Sequence, residues 1–236
     1  MRRRTVLVAI GMVFLVLGIA TTSVVVILKH IPKYYDELVL AESIERRELS
    51  GECVSRMSDL LNDIENAEPK WGVEFTGEQL NSFFQQDFLN SIGGEHYLPE
   101  GFSDPRIVID NDKLKIGIRY GVGFWSAVVT LEVRVWLVAD EVNMIALEIQ
   151  NLKAGGMSIS PNVLLDYISE TARSANMTVT WYRHQSNPVA ILRYQADQLV
   201  PSLILQRLEC VDGKLAIAGQ STEGPAMRTV SKPIGK

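Results

Sequence analysis

Few residues in this 236-residue chain could do chemistry, and their spacing decides what kind. The three histidines, His30, His96 and His184, stand far apart in the sequence. None has a second His or Cys at ligand spacing, so no zinc pattern exists. Asp110 with Asp112, and Asp140 with Glu141, read as turn residues rather than as an acid–base pair. No G-x-S-x-G elbow, Walker A loop or dinucleotide fingerprint is present, and Gly155-Gly156-Met157-Ser158 lacks the context to be more than a turn. Catalytic residues, cofactor-binding residues and metal ligands are therefore each expected to be none, and the chain is read as a non-enzyme. The two cysteines, Cys53 and Cys210, permit one disulfide in an oxidising compartment and are otherwise two buried thiols. Asn176-Met177-Thr178 is a glycosylation sequon, which matters only in a eukaryotic source.

Composition narrows the partners. The chain has 23 basic and 28 acidic residues. With Arg2, Arg3 and Arg4 set aside, the remainder carries a net charge of −8 and no basic stripe. That excludes nucleic acid, which requires clustered Lys and Arg to displace counterions. It also excludes docking on anionic lipid by charge alone.

The elements that position these residues begin with an apolar run, Thr5 to Leu28, free of charge. A helix over it would reach about 36 Å, against about 30 Å of hydrocarbon. An uncleaved signal anchor is favoured over a cleaved signal peptide or a buried helix. Arg2, Arg3 and Arg4 then put residues 1–4 in the cytoplasm, and the body becomes extracytoplasmic in a single-pass membrane protein. Tyr34 and Tyr35 fall where an interfacial aromatic belt would sit.

Residues 29–70 carry the helical period over about 34–66, with Gly51 as a break, as a stalk or packed on the body. Thr76 and Gln79 form a capping box opening a helix over about 77–90, whose Leu80, Phe83, Phe84 and Phe88 make an apolar face. After Pro105 the period becomes two. Ile107 and Ile109, then Leu114 to Tyr120, form a hairpin. Gly121 and Gly123 mark a turn or bulge. Val129, Leu131, Val133, Val135 and Leu137 share one strand face, and Met144 to Leu152 follow as another strand. Ser160-Pro161 opens a second helix. Strand-like runs resume at 177–183, 188–194, 203–210 and 214–219, before a loose tail at 222–236. The expected class is α+β: an N-terminal transmembrane helix, a helical linker, and an antiparallel β-meander over 71–221 packed with two or three helices.

Phe75, Thr76, Gln79, Leu80 and Asn81, with Gly155-Gly156 ahead of Ser160-Pro161, resemble the pattern of the YpmS-like membrane-anchored bacterial envelope proteins. More distantly they resemble the LmeA-type envelope lipid-binding proteins. The resemblance implies a sheet wrapped against helices, a hydrophobic groove and an envelope role, and no catalytic residue. Two functions follow as expectations. One is a domain that binds lipid or another apolar ligand, or scaffolds envelope proteins, with the lipid bilayer as partner. The other is a protein-binding sensor or assembly subunit of a membrane complex. An unrecognised hydrolase is a third.

Overall fold

A computed structural model describes residues 2–38, 43–88, 98, 100–174, 177–193 and 203–221, with the side chains of 2–11 and 13 left aside. His96, Asn176 and the tail 222–236 lie outside the described residues.

The chain begins with α1 (Arg2–Leu28). Among the described residues no helix is long and apolar enough to cross a membrane. This overturns the span expected over 5–28. With it go the signal anchor, the single-pass topology and the extracytoplasmic placement of the body that was derived from them.

The next elements fold onto the body rather than forming a stalk. In α2 (Lys33–Glu37), Tyr35 is fully buried. Its ring lies over Gly117, where a Cβ would stand 2.5 Å from Cδ2 of Tyr35 and 3.2 Å from the Tyr34 hydroxyl. The Arg106 guanidinium stacks 4.1 Å from the Tyr35 ring centroid and donates to the Tyr35 carbonyl. The Tyr35 hydroxyl donates to Asp104 O at 2.8 Å. Tyr34 and Tyr35 are therefore packed against a sheet, not placed in an interfacial belt. Burial and then the nearby Glu132 push the Tyr34 hydroxyl up to about 12. The following α3 (Ile44–Glu65) starts on Ser43, whose side chain accepts from Arg46 N, and continues through Gly51 without a break.

Two antiparallel sheets make the body. The smaller has the order β1-β10-β9, built from β1 (Trp71–Thr76), β9 (Leu203–Val211) and β10 (Lys214–Ser221). The larger runs β2 (Phe102–Asp110), β3 (Lys113–Tyr120), β4 (Ala127–Leu137), β5 (Met144–Ala154), then β8 (Asn187–Arg193) and β7 (Thr178–His184), with the short β6 (Met157–Ser158) on β5. Register puts Ile116, Leu131 and Leu152 abreast, with Ile118, Val129 and Ala154 on the same face. Alternate positions, such as Lys115, Glu132 and Asn151, face the other way, as the two-residue period requires. A bulge at Glu132/Val133 shifts the β4–β5 register.

The core lies where α3, α4 (Gly77–Phe83) and the small sheet meet the apolar face of the large one. Cys53, Phe75, Leu80, Ile107, Ile109 and Cys210 cluster there, with Leu114 and Ile116 packed against them. The capping box at Thr76 and Gln79 is present. The helix gives way to a π-helical turn at Phe84–Phe88, where three Phe rings meet at centroid distances of 5.5–5.8 Å. The second predicted helix, α5 (Asn162–Ser174), packs beside β7.

Candidate functional site

Most of the sequence-marked residues prove to hold the fold together. Asn81 is nearly fully buried; its Nδ2 donates to Ile107 O at 2.7 Å and to Gly77 O at 2.8 Å, and its Oδ1 accepts from Ile107 N at 2.8 Å. Gln79 completes the cap and donates to Glu52 at 3.0 Å. Phe75 is core. Cys53 and Cys210 are both buried and free, so the bond that their even count permitted is not made. Burial pushes the Cys53 thiol up to about 11 and raises that of Cys210, which leaves neither a ready thiolate.

One carboxylate outside the expected pairs sits in a built environment. Glu148 on β5 is 3 % exposed. It accepts from Asn187 Nδ2 at 2.9 Å and Gln150 Nε2 at 3.4 Å, and stands 3.3 Å from His184 Nδ1. Burial would raise its pKa, but the bonds from Asn187, His184 and Gln150 outweigh that and hold it below the usual carboxylate value. It clamps the β7–β8 hairpin to β5. Among the described residues no serine, threonine or cysteine hydroxyl or thiol is seen bonded to Glu148 or His184, and the bonds that are seen serve clamping. Asp110 bonds Lys115 at 2.5 Å, and Asp112 bonds Arg134 at 2.8 Å, as hairpin ion pairs. Among the described residues no cluster of three metal-ligating side chains exists.

Two of the described cavities border α3. One of about 420 Å³ lies between α3 and the small sheet, lined by Arg56, Asp59, Asp63, Glu74 and Arg207. Arg207 bonds Glu74 at 3.1 Å and Glu209 at 2.5 Å, and Arg56 donates to the backbone Glu74 O at 3.3 Å. A second, of about 540 Å³, opens among Ser43, Arg46, Leu49, Thr76, Ser82 and Ile109. A third, of about 620 Å³, is an open apolar hollow along α1 lined by Phe14, Leu15, Ile19, Val26 and Ile27.

What the structure does present is an apolar end. The β3–β4 connection, Gly121–Ser126, carries Val122, Phe124 and Trp125 at 85 %, 67 % and 83 % exposure. It is held in shape despite that. Gly121 N donates to Gly101 O at 2.9 Å, Trp125 N to Val122 O at 3.1 Å, and the Ser126 hydroxyl to Gly123 O at 2.8 Å. Gly121 has φ +88°, and a Cβ there would meet Trp125 O at 2.6 Å, so only glycine closes this turn. The Phe124 and Trp125 rings meet edge-on at 5.4 Å.

The end of α1 is pinned beside this tip. Lys29 Nζ donates to the carbonyls of Phe124 and Ser126 and lies 4.6 Å from the Phe124 ring centroid. Gly156 N donates to Ile27 O at 2.8 Å, so the β5–β6 turn closes on the same helix end. From there the exposed apolar flank of α1 runs back through Val26, Ile19 and Phe14. Met157, next to that turn, and Val163 and Tyr167 on α5 are exposed as well. The chain segments 121–131 and 154–165 contain no charged residue.

Within the tip, residues 121–126, the sequence reading marks only Gly121 and Gly123. The signal was there: three large apolar residues in a Gly-flanked turn, where turn chemistry ordinarily places polar ones. No family model, no curated protein and no solved structure matches this chain.

Proposed function

We propose that this protein binds lipid or another apolar ligand, without catalysis, through the end built by the Val122–Trp125 tip, the tail of α1 and the β5–β6 turn. The observation that carries the reading is the rigid, exposed tip. Its three side chains present on the order of 400 Å² of mostly apolar surface. That is the size of the largest contiguous apolar patch on an ordinary monomer, which is often functional. The hydrogen-bonded turn keeps these groups in water instead of folding them away, so the exposure is a feature of the fold. The paired ions of the α3 groove and the clamping role of Glu148 give a reaction no comparable footing.

The test is binding of an apolar fluorescent probe, anilinonaphthalene sulfonate, to the full chain. The expected result is a clear loss of probe binding in a variant carrying Val122→Ser, Phe124→Ser and Trp125→Ser with an unchanged far-UV spectrum. Undiminished probe binding by that folded variant overturns the reading.

A further inference from the structure

Resting on that reading, we propose that the apolar end seats on the surface of a lipid bilayer, with the Val122–Trp125 tip in the boundary between headgroups and acyl chains. The shape of the site selects this partner. Val122, Phe124 and Trp125 stand outward on a projecting turn and line none of the described cavities. A dispersed apolar molecule is normally taken into a concave site that surrounds it. A convex apolar tip instead suits a partner that supplies the enclosing medium, as the interface of a bilayer does.

Residue chemistry agrees with the shape. Trp125 and Phe124 are large rings, and the indole adds a polar N–H, the combination that favours the headgroup level. Beside them stands a cation, Lys29, tied to the tip's own carbonyls. The next apolar surface is continuous: Ile27 and Val26 at the pinned end of α1, and Met157 at the β5–β6 turn, are all exposed. Charge is sparse along the tip itself: residues 121–131 and 154–165 are uncharged, while Lys29 is bonded to the tip and Glu100 precedes the Gly101 that bonds Gly121. Contact of this kind needs no helix to cross the bilayer.

Trp125 is its own reporter. The experiment uses the full chain with phosphatidylcholine vesicles whose acyl chains are brominated. The Trp125→Phe variant is the reference, since it keeps Trp71, Trp136 and Trp181. The expected result is that the Trp125 emission, taken as the difference between the two proteins, shifts to the blue, loses intensity to the brominated chains and becomes shielded from aqueous acrylamide. The Val122→Ser, Phe124→Ser double variant should lose that shielding. If the double variant fails to fold, the wild type against Trp125→Phe still decides. Because phosphatidylcholine carries no net charge and residues 121–131 none of their own, raising the salt from about 0.1 M to about 0.5 M should change association by less than about twofold. A strong salt dependence overturns the proposal. Should Trp125 stay as open to acrylamide with vesicles as without, while probe binding still depends on the tip, the bilayer proposal falls and the apolar-binding reading stands. If probe binding is also independent of the tip, both fall.

Discussion

Removing the side-chain amide of Asn81 tests the packing logic of the whole body. β2 is an edge strand of the large sheet, and its outer neighbour is a helix rather than a strand. At Ile107 the N–H and C=O that point away from β3 have no strand to receive them. Asn81 takes the place of one, accepting from Ile107 N at 2.8 Å and donating to Ile107 O at 2.7 Å. Asn81→Ala leaves both groups buried and unpaired, each costing roughly 1–3 kcal/mol. Allowing for a water that recovers part of one bond, the expected loss is about 2–5 kcal/mol, a large share of the roughly 5–15 kcal/mol a domain commands. Asn81→Asp should do no better at neutral pH, because it keeps the acceptor but turns a carboxylate toward two carbonyl oxygens. The assay is urea unfolding followed by far-UV circular dichroism, with the m-value checked for constancy. A loss below about 0.5 kcal/mol for Asn81→Ala would show that the α4–β2 contact is held by apolar packing alone, and would refute this account of the motif.

Other consequences are independent of that one. Gly117→Ala drives a methyl group into the Tyr35 ring and should cost about 1–3 kcal/mol, with part of the loss restored when Tyr35→Ala is added; a neutral single variant would mean that α2 does not pack on β3. Glu148 has a folded pKa below its ordinary 4.5, so it contributes stability at neutral pH that is lost as the pH falls below about 4.5. In Glu148→Gln the acid limb of a melting-temperature profile should flatten, and an identical profile would contradict the clamp. Cys53 and Cys210 should resist iodoacetamide at pH 8 in the folded protein and react fully in denaturant; stoichiometric labelling of the native state would show that the α3–α4 core opens freely. Tyr34 and Tyr35, both raised by burial, should ionise late in an ultraviolet titration. For Tyr34 the sign is that stability is intact below about pH 10 and drains away between there and about 12.

Local patterns were legible where the chain answers to its own neighbours. The Thr76–Gln79 cap, the Asp110–Lys113 hairpin and the apolar side of β4 all appear as their residue types require. Pairings set by distant chain were not. β1 meets β10 across most of the sequence, Trp71 opposite Gly219, and nothing in WGVEFT announces that partner. Likewise β8 is inserted beside β5 while its hairpin mate β7 takes the sheet edge. Strand propensity says that a segment will pair and is silent about which edge it finds. The two tyrosines after α1 misled for a related reason. An aromatic pair beside an apolar run has the look of an interfacial belt, and only the absent side chain at Gly117, some eighty residues later, reveals a socket for Tyr35.

The same non-local logic separates buried from displayed aromatics in this chain. Phe83, Phe84 and Phe88 lie at helical spacing and close on one another against β2. Phe124 and Trp125 are adjacent in a turn too short to fold back, between strands whose register is fixed by eight β3–β4 pairs. Moving either ring into the interior would require breaking the Gly121–Gly101 bond and the Lys29 contacts that hold the end of α1. The tip is thus exposed because the surrounding hydrogen bonds leave it no alternative. That places its apolar surface in water as a standing cost, about 25 cal/mol for each Å² of it, which only an apolar partner removes.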